Sequence, residues 1–129
     1  MTMKKTVLAA ALFAAPATAA DWYQFATTDD GAVYFADRET SLNDGTFAWV
    51  WVRSDLSRVK STSNRATKEL WRFNCKMSTS MTVSHIAYRP DGTVAQSRHF
   101  PLDNSYLYEP VAPDTLADVV MRDICSGIR

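Results

Sequence analysis

The sequence has few of the side chains from which catalytic and metal sites are usually built. Among its 129 residues are two histidines, His85 and His99, and two cysteines, Cys75 and Cys125. The histidines fall in separate predicted strands, and two imidazoles alone make a poor metal site. No GxSxG or HExxH motif occurs, so no nucleophile can be paired with a base. We therefore expect a protein that is not an enzyme and has no catalytic residue, no metal and no cofactor.

Long apolar runs are also missing. The longest, from Val7 to Ala15, covers about half of the roughly twenty residues that a membrane-spanning helix needs, so no membrane span is expected. The run follows two lysines and precedes small residues, which is the pattern of a secretory signal peptide. Residues 1–20 are therefore predicted to be a signal peptide, cleaved after Ala19 or Ala20.

The remaining residues, 21–129, are predicted to form a single domain with a modest core. We expect this domain to be exported, either to the periplasm of a bacterium or to the medium. No cysteine stands at the predicted cleavage site, so no lipid anchor is expected. Without the two lysines of the signal peptide, fourteen acids face twelve bases. An acidic, exported domain without a nucleic-acid-binding motif is not expected to bind nucleic acid.

The two cysteines are predicted to form a disulfide bond. An even number of cysteines in an exported chain favours a bond between Cys75 and Cys125 over two buried free thiols. A metal site is disfavoured because no CxxC pair occurs and two distant cysteines supply too few ligands. Closing a loop of this length is worth about 4 kcal/mol, a large share of the stability of a small domain.

Apolar and polar residues alternate along most of the predicted domain, which is typical of half-buried β-strands. The predicted strands are Trp22 to Ala26, Ala32 to Asp37, Thr46 to Arg53, Glu69 to Met77, Met81 to Arg89 and Thr93 to Phe100. The segments TTDDG, SLNDG and RPDG separate several of them and carry glycine where a turn needs a positive φ. Because short connections join neighbouring strands, the pairing is predicted to be antiparallel.

The C-terminal segment VAPDTLADVVMRDICSG breaks the alternation and predicts a helix. Apolar residues recur there at helical spacing, behind a proline and an aspartate and before a glycine that would end the helix; they are Leu116, Val119, Val120 and Ile124. If Cys75 bonds to Cys125, the helix must cover the strand face of Trp71, Phe73, Cys75 and Met77. The predicted fold is therefore α+β, with about six antiparallel strands and one C-terminal helix docked on one face and held there by a disulfide.

Several short motifs, in a fixed order, resemble the surface-adhesin protein E family of bacterial envelope domains. They are a tryptophan after the signal peptide, the strands VYFAD and GTFAWVWVRSD, the FNC of the fourth strand, the hairpin YRPDGTV, and PDT before a helix ending in IC. The resemblance implies an antiparallel sheet flanked by a C-terminal helix, with the two cysteines bonded. It also implies binding to host proteins such as laminin, vitronectin and plasminogen, and pairing as a dimer. The founding adhesin carries a lipid anchor, whereas this chain has no lipobox cysteine.

The leading hypothesis is therefore an exported, non-enzymatic binding module of this adhesin type. The alternative is a periplasmic accessory or inhibitor protein of the cell envelope. A weak binder of a small ligand is a third possibility. The sequence does not name the partner, which could be a protein or a ligand of the extracellular-matrix type.

Basic residues are concentrated in the middle of the chain and suggest one binding surface. From Arg53 to Lys76 there are seven bases and two acids, in an otherwise acidic domain. The loop SDLSRVKSTSNRATKE is polar, and loops of this length are often functional. The predicted binding residues are Arg58, Lys60, Arg65 and Lys68. The alternative is a solvated connection whose charges have no role beyond solubility.

The strand TFAWVWV suggests a second surface, since it is apolar on both sides. Phe47, Trp49 and Trp51 share one side, and the other side carries alanine and valines. One side must meet the helix, and the other is predicted to be a homodimer surface or an aromatic platform for a ligand. Alternatively, the N-terminus and the segment PLDNSYLYEP fold over it, with Tyr106 and Tyr108 packing there.

Overall fold

A computed structural model of the protein describes residues 20–126. Within them lie eight strands, a short 3₁₀ turn and one α-helix. The strands are β1 (Trp22–Thr27), β2 (Val33–Asp37), β3 (Leu42–Asn43), β4 (Phe47–Asp55), β5 (Ala66–Asn74), β6 (Thr79–Tyr88), β7 (Val94–His99) and β8 (Glu109–Pro110). The 3₁₀ turn is Ser105–Leu107, and the helix, α1, is Leu116–Ser126. The predicted signal peptide lies outside the described residues, apart from its last position.

All described strands belong to one antiparallel sheet in the order β1-β2-β4-β5-β6-β7. This order follows the sequence because hairpins join successive long strands. Gly45 and Gly92, with φ of 97° and 87°, lie in two of the predicted turns and supply the left-handed backbone that these turns need. The predicted fold class is confirmed. The two strands that were not predicted, β3 and β8, have two residues each and pair with β4 and β6 at the sheet margins.

The core lies between α1 and one face of the sheet, called here the helix face. It consists of side chains that are at most 2% exposed: Ala36, Ala48, Val50, Val52, Phe73 and Val120. Three of them alternate along β4 with the partly buried Phe47, Trp49 and Trp51. The alternation of the sequence therefore sets which side of β4 meets the helix. It places the small aliphatic residues inside and the large aromatic residues on the opposite face.

Side-chain hydrogen bonds hold both ends of α1, which is too short to be stable alone. At its start, the hydroxyl of Thr115 accepts a bond from the backbone N–H of Asp118 at 3.2 Å. The carboxylate of Asp118 in turn accepts one from the backbone N–H of Asp114 at 2.9 Å. At its end, the side-chain amide of Asn43 in β3 donates to the carbonyl of Ile124 at 2.9 Å. These bonds satisfy backbone groups that a helix end leaves without partners.

The inward stripe of α1 differs in part from the predicted one. Ala117, Val120, Met121 and Ile124 pack against the core, as the predicted Val120 and Ile124 should. Val119, which the sequence pattern groups with them by spacing, is 45% exposed. Positions 117, 120, 121 and 124 form one helical stripe, and position 119 lies outside it.

The predicted disulfide is present and joins the last turn of α1 to the sheet. The Cα atoms of Cys75 and Cys125 are 5.7 Å apart. The prediction that Met77 shares the covered face was wrong, because its side chain is 70% exposed. The strand ends at Asn74, whose side-chain oxygen accepts bonds from the backbone N–H groups of Lys76 and Met77, each at 3.1 Å. This local turn carries Met77 out of the pleat.

Candidate functional site

The sheet face opposite α1 carries aromatic and basic side chains in close contact. We call it the aromatic-arginine face. Its members are Trp22, Phe35, Phe47, Trp49, Trp51, Arg53, Lys68, Arg72 and Tyr108. All are partly exposed except Lys68, which is exposed. The face is partly open to solvent. Its main contacts are cation–π contacts between arginine side chains and aromatic rings.

Arg53 continues the alternation of β4 beyond the two tryptophans. Its guanidinium carbon lies 4.4 Å from the centre of the Phe35 ring and 5.2 Å from that of Trp22. Phe35 is opposite Arg53 in the β2–β4 pairing, so the strand register brings the two together. Stacking on ring faces holds the guanidinium by cation–π attraction and reduces its freedom.

Arg72 occupies a similar position on β5. Its guanidinium carbon lies 3.7 Å from the centre of the Phe47 ring and 4.8 Å from that of Trp49. It also donates a 2.6 Å hydrogen bond to the hydroxyl of Tyr108. Register again explains the contact, because Trp49 and Arg72 are paired across β4 and β5.

The segment PLDNSYLYEP covers one end of this face, as one of the sequence alternatives expected. The ring centres of Tyr108 and Phe47 are 6.5 Å apart. Tyr106, in contrast, is 94% exposed, so the expectation that it packs on the face was wrong. Asn104 caps the 3₁₀ turn that contains Tyr106. Its side-chain oxygen accepts a hydrogen bond from the backbone N–H of Tyr106, and the ring of Tyr106 stays in solvent. The middle of the face stays partly open.

Neither arginine forms an ion pair with an acidic side chain within residues 20–126. The Nε atoms of Arg53 and Arg72 are buried and have no hydrogen-bond partner there. The acidic and basic side chains in close contact in this part of the chain are Glu69 with His85 and Asp118 with Arg122, and neither pair includes Arg53 or Arg72. Buried polar groups in folded proteins are usually hydrogen-bonded, and each exception calls for an explanation. Two half-buried positive charges therefore stand on one face without an ion-pair partner, although Asp55 interacts with Arg53, and Asp44 with Arg72, over a longer distance.

A cleft of about 260 Å³ opens in the middle of the face. Its lining combines aromatic, aliphatic and charged side chains: Trp22, Asp37, Thr40, Trp51, Lys68 and Ile86. The Nζ atom of Lys68 also lies 5.7 Å from the centre of the Tyr88 ring. The cleft thus has apolar walls and a basic rim.

Asp37 is the carboxylate among the residues that line the cleft, and it is only 2% exposed. Its Oδ1 accepts bonds from the backbone N–H groups of Asp21 (2.7 Å) and Glu39 (3.0 Å). Its Oδ2 accepts a bond from the Thr40 hydroxyl at 2.5 Å. Burial raises the pKa of Asp37, but the hydrogen bonds from Thr40, Asp21 and Glu39 outweigh burial and lower the pKa below its ordinary value of 3.8. The Asp37 carboxylate is therefore ionised, and its hydrogen bonds fix the chain just before β1 and just after β2.

Replacing Asp37 with Ala is expected to lower the free energy of unfolding by about 2 kcal/mol, because several donors lose their acceptor. The pKa is lower in the folded than in the unfolded chain. The stabilisation is thus fully present above the unfolded value and is lost as the pH falls through the folded value. Urea denaturation at about pH 7 and about pH 2 should show the difference between the two proteins shrinking in acid. The exposed neighbour provides a control, since Glu39→Ala should change stability by at most about 0.5 kcal/mol.

The four predicted basic residues are exposed but do not form one cluster. Lys68 lies in β5 and lines the central cleft. Arg58 lines another cavity of about 300 Å³ beside Phe35, at the border of the aromatic-arginine face. Arg65 lines a separate cavity with the loop that precedes it. The structure thus places two of the four beside the aromatic residues, and no cavity described here contains Lys60.

The loop between β4 and β5 is less open than its composition indicates. The backbone N–H of Leu56 donates to the carbonyl of Arg65 at 2.8 Å, which closes the loop at its base. Val59 is 8% exposed and anchors the loop from within. The backbone N–H of Arg65 also donates to the carbonyl of Tyr88 at 2.8 Å. The loop is therefore a fixed element that presents its charges outward.

The histidines make ordinary side-chain contacts within the sheet. His85 Nδ1 lies 2.6 Å from Glu69 Oε2, and the indole N–H of Trp71 donates to the other oxygen of Glu69 at 2.9 Å. His99 Nδ1 lies 2.8 Å from the Ser84 hydroxyl. Among residues 20–126 no group of three or more potential metal ligands was found.

Sequence reasoning missed the roles of Trp22, Arg53 and Arg72. The signal for Arg53 was present, because it is the next residue in step with Trp49 and Trp51 along β4. Arg72 was correctly expected to point away from the helix face, but its contact with Phe47 depends on the register of β4 and β5. A register is fixed by pairs distant in the chain and cannot be read from one strand.

Comparison with known proteins agrees with the fold and with the short motifs. The family model for surface-adhesin protein E matches residues 22–126, nearly the whole predicted domain. Searches of curated proteins and of solved structures gave no match. Within the described residues no helix is long and apolar enough to cross a membrane. The chain belongs to the surface-adhesin protein E family.

Proposed function

We propose that the chain is an exported, non-enzymatic binding module that attaches to protein partners through its aromatic-arginine face. Family membership supports a surface-adhesin-like role. The observation that carries the assignment to this face is the pair of half-buried arginines, Arg53 and Arg72, without an ion-pair partner among the described residues. A partner that supplies carboxylates would pair with the terminal nitrogens of both arginines.

Charge around the face favours an acidic partner. Lys68 lines the cleft and Arg58 lies at the border beside Phe35, so four basic residues surround the aromatic rings, against two carboxylates in the same cavities, Asp37 and Asp55. The carboxylate of Asp37 is already occupied by donors from its own chain. A basic patch of this kind raises the encounter rate with acidic partners and helps to select them. Aromatic and arginine side chains also dominate the binding energy of many interfaces.

The proposal is tested by measuring how the immobilised mature protein binds laminin, vitronectin and plasminogen, the partners implied by the family resemblance. We expect binding of at least one, and we expect it to weaken as the ionic strength rises from about 0.01 M to about 0.15 M, because the Debye length falls from about 30 Å to about 8 Å. Two double variants with the same loss of charge identify the surface. Arg58→Ser with Lys68→Ser should weaken binding, whereas Lys60→Ser with Arg65→Ser should leave it nearly unchanged. Both should fold, since exposed substitutions usually cost within about 0.5 kcal/mol.

Equal losses in the two double variants would assign binding to the loop charges as a group, and the face would then not be the site. No binding of any of the three proteins would oppose the adhesin role. The alternative is a periplasmic accessory or inhibitor protein of the cell envelope. Cell fractionation separates the two, because an adhesin must be accessible on intact cells, whereas a periplasmic protein is released by osmotic shock.

A further inference from the structure

We propose that the aromatic-arginine face binds an extended acidic segment in which two carboxylates stand four residues apart and an apolar side chain stands midway between them. This inference rests on the proposed function and specifies the chemistry of the partner. It follows from the spacing of the two unpaired arginines and from the cleft that lies between them.

The two guanidinium groups are already fixed in place. The guanidinium of Arg53 stacks on the rings of Phe35 and Trp22. The guanidinium of Arg72 stacks on the rings of Phe47 and Trp49. An arginine that is stacked before binding loses little freedom when a carboxylate arrives, and its planar fork matches a carboxylate with two parallel hydrogen bonds. The Nε atoms are buried, so the carboxylate would meet the terminal nitrogens.

The strand register sets the distance between the two sites. Arg72 is paired with Trp49, and Arg53 lies four residues further along the same strand as Trp49. With a rise of about 3.3 Å per residue, the Cα atoms of the two arginines are offset by about 13 Å along the strands. An extended peptide has the same rise, so its residues i and i+4 project from one side at the same separation. In backbone register, the face therefore matches two acidic residues in that relation.

The cleft supplies the position between the two charges. Trp51 lies midway between Trp49 and Arg53 on β4, and it forms a wall of the cleft together with Trp22 and Ile86. The side chain of residue i+2 would point to the same side as the two carboxylates and towards this cleft. An aliphatic group buried between two indoles is the kind of anchor on which protein interfaces depend. Lys68 at the rim adds a further positive charge beside the acidic segment.

The experiment compares two fluorescent peptides of identical composition by anisotropy with the unmodified mature protein. In one, aspartates stand at positions i and i+4 and a leucine at i+2; in the other, the two aspartates are adjacent. We expect the spaced peptide to bind at least about tenfold more tightly, because only it can engage both arginines at once. Arg53→Gln or Arg72→Gln should each remove most of this preference, while Lys60→Gln should leave it unchanged. Near-ultraviolet circular dichroism checks that each variant keeps its aromatic packing.

Equal affinity of the two peptides for the unmodified protein would overturn the inference without the use of any variant. If laminin, vitronectin or plasminogen binds while neither peptide does, the inference fails and the proposed function stands. Light scattering tests the other occupant of the face, a second copy of the chain. A homodimer at micromolar concentration that dissociates in the Arg53→Glu, Arg72→Glu variant would assign the face to dimerisation and overturn the peptide site.

Discussion

Replacing Cys125 with Ser is expected to lower the free energy of unfolding by about 4 kcal/mol. The bond joins residues 50 positions apart, so its loss releases a long loop in the unfolded chain. It also frees the last turn of α1 from the end of β5. Folded domains have a free energy of unfolding of only about 5 to 15 kcal/mol, and this change therefore removes a large share of it. Urea denaturation of the oxidised mature protein and of the variant measures the difference.

Two controls separate loss of the bond from other effects of the substitution. The double variant Cys75→Ser, Cys125→Ser should be about as unstable as the single variant. A reductant should destabilise the unmodified protein and leave both variants unchanged. A loss below about 1 kcal/mol would mean that the contacts of α1 alone hold it on the sheet, and the estimate from loop entropy would then be wrong.

Much of the fold could be predicted because its main signals are local. In β4, alternation along Phe47–Asp55 is so regular that the buried side and the aromatic side follow from the sequence. The helix follows from a change of period near Pro113, and the disulfide follows from the number of cysteines in a chain expected to be exported. Each of these signals is confined to a short segment or to a simple count.

The predictions from sequence were wrong or incomplete where the position of a residue depends on a contact with a distant part of the chain or on a local side-chain bond to the backbone. Met77 left the sheet because the side chain of Asn74 bonds to the backbone just after it. Strand β3 has no pattern of its own, and its position depends on pairing with β4 and on the bond from Asn43 to the end of α1. Tyr106 and Tyr108 have the same residue type two positions apart, yet only Tyr108 finds a partner, Arg72, across the sheet.

The candidate site was the least predictable part for the same reason. Exposed loop charges such as Arg58 and Lys60 are easy to identify in a sequence. The role proposed for Arg53 and Arg72 depends instead on the aromatic rings that neighbouring strands place beside them. Their setting requires the registers of three strands at once. Stability and binding are thereby divided between the two sides of β4. Its small residues build the core under the helix, and its large residues remain available on the opposite face.

This division leads to a large expected effect on the core side, at Phe73. The ring is completely buried, packs with Val50 and Val120 in the core, and meets Trp71 edge to face with ring centres 6.3 Å apart. Phe73→Ala is expected to lower the free energy of unfolding by about 3 to 5 kcal/mol, because it removes buried apolar surface and leaves a cavity. Chemical denaturation measures the loss. Tyr106→Ala is the matched control, since it truncates an aromatic ring that is 94% exposed and should cost at most about 0.5 kcal/mol. Similar losses in the two variants would contradict the assignment of the core to the helix face.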